Sequence, residues 1–135
     1  MLYYADGSAL SRSLTGEPES ASWLRWADAH AGQIITSPLG ISELRRAAAL
    51  LGYVERQKAR EIAASVTVVR FFDRSIESAT ESASVLPAFT AMHLGIAMAH
   101  PDVEGLATYD QLLAQVAALH KVPVITPGRP PYWWL

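Results

Sequence analysis

Short apolar runs alternate with longer amphipathic stretches along this chain. The runs at 2–5, 33–36, 66–72, 105–109 and 122–126 are apolar or β-branched and predict strands. The stretches between them carry apolar residues three or four positions apart, which predicts helices at 8–15, 18–31, 38–51, 54–65, 73–86, 89–100 and 111–120. Strands that alternate with helices are typical of a parallel sheet covered on both faces. We therefore predict a single α/β domain over residues 1–135, with three α/β/α layers and a mainly parallel central sheet.

Local signals refine several of these elements. Ser37 followed by Pro38 predicts a helix start, with a capping hydroxyl and then proline at the first helical position. In the helix over 73–86, Asp73 is the predicted N-cap, and the buried stripe is predicted to consist of four apolar residues: Ile76, Ala79, Ala83 and Leu86. Pro123 cannot donate to a strand ladder, so the last strand is predicted to lie at an edge of the sheet.

Composition narrows the class of protein. The chain has 135 residues, of which 50% are hydrophobic and 18% are charged, so a packed core is expected. There are no cysteines, which excludes disulfides and thiolate metal sites and suits a cytoplasmic protein. No apolar run reaches the ~20 residues of a membrane span, and we expect neither a secretion signal nor a membrane partner. The net charge of −2 gives no chain-wide basic field, so any nucleic-acid contact must come from a local patch.

Three acids follow predicted strands. Asp6 comes directly after the first strand, Glu43 lies early in the helix after the second, and Asp110 comes after the fourth. The carboxyl ends of parallel strands share one edge of a sheet, so we expect these side chains to gather there. Clustered carboxylates repel each other, and a divalent cation such as Mg²⁺ or Mn²⁺ removes that conflict. Such an ion can activate a water for attack on a phosphate.

Each acid also has a simpler interpretation. Asp6 could form a turn, Glu43 could be a solvated residue paired with Arg45 or Arg46, and Asp110 could be only a helix N-cap. Ser8 is predicted to accept a hydrogen bond from the amides of the helix that follows it. The case for a site therefore depends on the joint placement of the acids.

Four segments, in order along nearly the whole chain, resemble the motifs of one family. They are Tyr4-Ala-Asp6-Gly-Ser8-Ala-Leu10, Thr36-Ser-Pro-Leu-Gly-Ile-Ser-Glu43-Leu, Ala91-Met-His93-Leu-Gly-Ile-Ala97 and Thr108-Tyr-Asp110-Gln-Leu-Leu-Ala114. They are similar to the four motifs of the PIN-domain ribonuclease toxins of type II toxin–antitoxin pairs, the VapC family.

The resemblance implies a metal-dependent endoribonuclease that forms a homodimer and is inhibited by a cognate VapB-like antitoxin. It places Asp6, Glu43 and Asp110 at the catalytic and metal-binding positions, with Mg²⁺ or Mn²⁺ as the cofactor. Ser8 falls on the family's motif serine, which implies that it orients Asp6 or a metal-bound water.

One position departs from the family pattern. The third motif normally opens with Asp directly before the residue that is Ala91 here, and this chain has Thr90 instead. A hydroxyl can bond a metal-bound water but brings no charge, so we expect weaker metal binding. An alternative function is therefore a catalytically weakened PIN protein that acts by binding an antitoxin or RNA. A third interpretation is an unrelated parallel α/β binding domain, although the chain has no Gly-rich phosphate loop for a nucleotide.

Basic and aromatic residues near the motifs give weaker expectations. Arg12, Arg45 and Arg46 flank the acidic motifs and could hold RNA phosphates, or they could be solvated surface charges. His93 is expected to pack on an apolar helix. The aromatic, proline-rich tail at 128–135 could stack on bases or pack across a dimer or against a partner.

Overall fold

A computed structural model describes residues 1–14 and 16–135, and this part of the chain contains five strands, seven α-helices and one 3₁₀ turn. The strands are β1 (Leu2–Ala5), β2 (Ile34–Thr36), β3 (Thr67–Val68), β4 (Val103–Ala107) and β5 (Val124–Ile125). The helices are α1 (Gly7–Leu10), α2 (Ser20–Ala29), α3 (Pro38–Ala49), α4 (Tyr53–Ser65), α5 (Asp73–Ser82), α6 (Ala88–Ala99) and α7 (Gln111–Leu119). None of the helices in the described ranges is long and apolar enough to cross a membrane.

The five strands form one parallel sheet in the order β3-β2-β1-β4-β5. The chain moves outward from β1 through β2 to β3, then returns to β4 on the other side of β1. The direction of winding therefore reverses between β1 and β4. In open α/β sheets, ligands bind in the crevice at the carboxyl ends of the strands at this reversal.

In β1, β2 and β4, buried neighbours along the strand face two separate cores, whereas both residues of β3 are exposed. Tyr4, Ile35 and Leu106 pack against α5, α6 and α7, whereas Ala5 and Ala107 pack against α1 to α4 on the opposite face. Strands buried on both faces are typical of parallel sheets covered by helices. The predicted three-layer α/β/α architecture is confirmed.

The predicted ends of several elements need correction. The strand expected at 105–109 is Val103–Ala107, the strand expected at 122–126 is only Val124–Ile125, and the helix expected at 73–86 ends at Ser82. The strand expected at 66–72 pairs only over Thr67–Val68, because its ladder partner β2 is itself only three residues long. The helix expected at 8–15 is shorter, with α1 ending at Leu10 and a 3₁₀ turn over Ser11–Ser13. Its last predicted residue, Thr15, lies outside the described residues.

The predicted cap and stripe of α5 are partly wrong. Asp73 is the first helical residue, and the N-cap is Phe72, whose N–H donates to Ser75 Oγ at 2.9 Å. Ala79 and Leu86 are buried, but Ile76 is 45% exposed and Ala83 is also exposed. Because α5 packs closely along α6, contacts with that helix decide which of its residues are covered.

Part of the tail packs on its own chain, through the half-buried residues Arg129, Trp133 and Trp134, whereas Tyr132 and Leu135 are exposed. The guanidinium carbon of Arg129 lies 4.4 Å from the Trp133 ring centroid and 5.3 Å from that of Tyr109. Its Nε and Nη2 donate to Glu19 Oε1 at 2.9 and 2.7 Å. The Tyr109 hydroxyl donates to Pro127 O at 2.7 Å. Arg129 therefore holds the tail against the start of α2 and the loop after β4. Neither of the predictions for the tail, stacking on bases or packing across a dimer or against a partner, included this contact.

We expect Arg129→Met to lower the free energy of unfolding by about 1 kcal/mol at pH 7, the value for a partly exposed ion pair. The hydrogen bond from Arg129 lowers the pKa of Glu19 below its usual range. A lowered folded-state pKa stabilises the protein above the unfolded value of about 4.3, and this stabilisation is lost as the pH falls. Urea unfolding at pH 7 and pH 3 should therefore show a smaller loss at the lower pH. Arg25→Met, on the exposed side of α2, is the control, and equal losses at both pH values would contradict the prediction.

Candidate active site

Asp6 lies directly beyond the carboxyl end of β1, at the point between β1 and β4 where the sheet reverses its winding, and is only 4% exposed. Its Oδ1 accepts hydrogen bonds from Ser8 Oγ at 2.7 Å and from Ala9 N at 2.9 Å. Its Oδ2 accepts from Thr108 Oγ1 at 2.6 Å. Asp6 is therefore the N-cap of α1, and the prediction that Ser8 caps this helix was wrong.

Two hydroxyls hold Asp6, one from α1 and one from the loop directly after β4. Ser8 Oγ donates to Asp6 and accepts from Tyr109 N at 2.8 Å. Thr108 Oγ1 donates to Asp6 and accepts from Asp110 N at 3.0 Å. Thr108 was not singled out from the sequence, although it lies two residues before Asp110 as Ser8 lies two residues after Asp6. The sequence signal that could have identified Thr108 is a hydroxyl side chain two positions away from an acid at the end of a strand.

Burial raises the pKa of Asp6 above its usual range, although His93 and the hydrogen bonds from Thr108, Ser8 and Ala9 act in the opposite direction. Desolvation disfavours the charged form of a carboxyl group, so this side chain gains from a nearby cation. Strongly shifted carboxyl groups in a crevice are frequent at functional sites.

Glu43 lies in the second turn of α3 and points toward α1. Its Oε1 accepts from Gly7 N at 3.0 Å and is 2.6 Å from His93 Nε2. A Cβ at Gly7 would lie 2.1 Å from Glu43 Cβ, so only glycine allows this close approach. Burial alone would raise the pKa of Glu43, but the hydrogen bond and charge of His93, together with the Gly7 amide, lower it below the usual range. Glu43 is therefore an anion at neutral pH.

Asp110 and Thr90 lie at the starts of two helices. Asp110 is the N-cap of α7, and its Oδ1 accepts from Leu113 N at 3.0 Å. Asp110 is thus a helix N-cap, as in the simpler interpretation, and this role uses only one of its two carboxylate oxygens. Thr90 is half-buried in the first turn of α6, one turn before His93.

The three acids lie beyond the carboxyl ends of β1, β2 and β4, at the same edge of the sheet. In residues 1–14 and 16–135, however, no group of three or more His, Asp or Glu side chains is arranged to hold a metal ion. Mg²⁺ is usually held by one or two carboxylates, with waters and substrate phosphates completing its shell. Asp6 and Glu43, which is bound to the Gly7 amide next to Asp6, match this requirement in number and in chemistry, whereas they cannot make a cage of protein ligands alone.

The three arginines have different surroundings. Arg12 pairs with Glu17 at 2.7 Å, and its guanidinium carbon lies 4.4 Å from the Tyr109 ring centroid. Arg45 is exposed on α3. Arg46 is exposed too, and it lines a cavity of about 410 Å³ together with Glu43. Of the three, Arg46 has the position that best suits a phosphate bound near Glu43.

Comparison with solved structures gives matches across most of the chain. FitAcB from Neisseria gonorrhoeae is 18% identical with a TM-score of 0.70, over 96% of this chain and 100% of that chain. VapC20 from Mycobacterium tuberculosis, a toxin that cleaves the sarcin–ricin loop, is 15% identical with a TM-score of 0.67, over 84% and 94%. VapBC2 from Rickettsia felis, bound to promoter DNA, is 12% identical with a TM-score of 0.68, over 94% and 99%. The resemblance to VapC toxins therefore holds for the fold.

The amino-acid sequence was compared with protein-family models and with curated proteins, and one family matches. No curated protein sequence matches the chain. The family model of the PIN domain matches residues 3–129, which include all four segments noted above and all residues of the five strands except Leu2. The chain therefore belongs to the PIN domain family.

Proposed function

We propose that this PIN domain is the toxin of a toxin–antitoxin pair and that it is an endoribonuclease dependent on Mg²⁺ or Mn²⁺. The observation that carries this proposal is Asp6, a buried carboxyl group held by hydroxyls of α1 and of the loop after β4, at the point where the sheet reverses its winding. Glu43, anchored on Gly7 directly after Asp6, supplies a second carboxylate at the same place.

Several residues of the chain have distinct roles in this proposal. Asp6 and Glu43 would hold the divalent ion, with waters as its other ligands, and Asp110 would add a third acid at the same edge of the sheet. When bound, such an ion lowers the pKa of a coordinated water and offsets the charge of the phosphodiester group. Ser8 and Thr108 keep Asp6 in place, and Arg46 is positioned to bind an RNA phosphate beside Glu43.

The structural neighbours support a proposal for the partner, the substrate and the assembly of this chain. VapC20 cleaves the sarcin–ricin loop, and the FitAB and VapBC2 structures each contain bound DNA. By analogy, we propose a VapB-like antitoxin as the partner of this chain, RNA as its substrate, a homodimer as its assembly and the cytoplasm as its location.

The assay for this function is cleavage of RNA by the purified chain. A mixture of structured RNAs should be cut in the presence of Mg²⁺ or Mn²⁺, should remain intact in EDTA, and should be cut again when excess Mg²⁺ is added. Cleavage that persists in EDTA would contradict a metal-dependent mechanism. Intact RNA in every condition would contradict the nuclease itself.

A second candidate function is a catalytically weakened PIN protein that acts by binding its antitoxin or RNA. Thr90 favours this candidate, because α6 brings an uncharged side chain where the family's third motif brings a carboxylate. The absence of a three-membered metal-binding group among the described residues also favours it.

We expect Thr90→Asp to tighten Mn²⁺ binding by more than tenfold and to increase RNA cleavage. At ~4 Å and an effective dielectric of ~20, a carboxylate attracts a divalent ion by roughly 8 kcal/mol before desolvation. A quarter of that energy already exceeds a factor of ten in affinity. Calorimetry measures the affinity, and Thr80→Asp, which adds the same charge at an exposed position of α5, is the control. If neither affinity nor cleavage rises, Thr90 does not limit the site.

A further inference from the structure

A buried chain of hydrogen bonds runs from the core to Glu43. The Tyr4 hydroxyl lies 2.8 Å from Ser37 Oγ and 2.6 Å from His93 Nδ1. His93 Nε2 lies 2.6 Å from Glu43 Oε1. Tyr4 is 0% exposed and His93 is 2% exposed, so both side chains of this hydrogen-bonded series are shielded from solvent. The series ends at Glu43, whose side chain is 42% exposed. It joins β1, α3 and α6, the elements that surround the candidate site.

The geometry fixes the orientation of the Glu43 carboxylate. An ionised carboxylate only accepts hydrogen bonds, so His93 Nε2 is the donor in this pair. Because Tyr4 holds the opposite ring nitrogen, the imidazole cannot rotate without losing a buried hydrogen bond. Glu43 Oε1 is thus tied to His93 and to Gly7 N. For Glu43 Oε2 there is no hydrogen bond within residues 1–14 and 16–135, and Glu43 borders the cavity that it shares with Arg46.

We infer that His93 and Tyr4 are positioning residues for Glu43, which hold one carboxylate oxygen so that the other is presented to a divalent ion. This inference rests on the proposed function, since it assigns the ion to that site. A purely structural core would be filled at lower desolvation cost by apolar side chains. Here the polar chain instead ends on a half-exposed carboxylate. Helix α6, whose Thr90 brings no charge, therefore acts on the site through His93.

The test is the affinity of the full chain for Mn²⁺ alone, measured by calorimetry and by electron paramagnetic resonance. We expect His93→Leu to weaken binding by about 10–100-fold, as for other residues that orient a metal ligand. His93→Gln keeps an N–H group for Glu43 and should remain within a few-fold of the wild type. Tyr4→Phe keeps the buried ring but removes the hydroxyl, and its loss should lie between these two. His120→Leu, at an exposed position, is the control and should change nothing.

A double-mutant cycle separates positioning from a general effect on the fold. In a Glu43→Gln background, His93→Leu should cause no further loss of Mn²⁺ affinity, because its effect passes through Glu43. Additive losses, an unchanged affinity in His93→Leu, or no Mn²⁺ binding by the wild-type chain would each overturn the inference. Wild-type Mn²⁺ binding without RNA cleavage would contradict only the proposed nuclease activity, so the two failures are distinguishable.

Discussion

Asp6→Asn should reduce RNA cleavage by roughly 100-fold or more, beyond the 10–100-fold typical of residues that only orient a metal ligand. Asparagine has the same shape and caps helices as well as aspartate does, so the bond to Ala9 N that begins α1 is retained. What is lost is the negative charge between the ends of β1 and β4, together with the acceptor of the Thr108 hydroxyl. The rate of cleavage of a defined RNA in Mg²⁺ measures the effect.

The thermal stability of the same variant gives an independent check. Burial raises the pKa of Asp6, which means that the folded protein disfavours the charge at this position. We therefore expect the Tm of Asp6→Asn, without metal, to equal or exceed that of the wild type. Asp28→Asn, which removes a charge from an exposed position of α2, is the control for both measurements. Full activity in Asp6→Asn would contradict the assignment of Asp6 to the site.

Gly95→Ala should lower the free energy of unfolding by about 2 kcal/mol, within the range for overpacked cores. A Cβ at this position would lie 2.2 Å from the backbone oxygen of Ser75 and 3.1 Å from Ala79 Cβ. A backbone oxygen in a packed helix cannot move aside as the end of a flexible side chain can, so α5 and α6 must separate. That cost exceeds the gain in helix propensity of up to ~1 kcal/mol that alanine normally brings.

Urea unfolding measures this loss, and thermal unfolding should show a Tm lower by several degrees. The control is Gly16→Ala, because a Cβ there would meet no heavy atom of the described residues within 4 Å, apart from its neighbours in the sequence. Equal stabilities of the two variants would contradict the close packing of α5 on α6. The RNA assay adds a link to the site, since displacement of α6 also displaces His93 from Glu43.

The features that were predicted correctly depend on neighbours in the sequence. The apolar run before Asp6 ends β1 at Ala5 as expected, and Ser37 with Pro38 begins α3 as expected. Both follow from local burial and from the conformation that proline and a capping hydroxyl favour. Alternation of strands and helices was sufficient to predict the parallel sheet and its layers.

The contacts that assemble the candidate site are not local. Thr108 and Asp6 are 102 positions apart, and His93 and Glu43 are 50 apart. No periodicity specifies which hydroxyl or imidazole meets which acid, because that depends on strand order and helix packing. The choice between Asp6 and Ser8 as N-cap shows the same limit. Both residue types cap helices well, and contacts with β4 direct Ser8 to Tyr109 N.

The central place of β1 in the sheet has a consequence for synthesis on the ribosome. The strand is made first, yet its neighbour β4 begins only at Val103, so the hydroxyl of Thr108 reaches Asp6 late in translation. Contacts of such long sequence separation also form slowly during folding. A nascent chain that ends before β4 contains Asp6 but not the Thr108 hydroxyl that holds it, so the candidate site is complete only after β4 and the loop that follows it have been made.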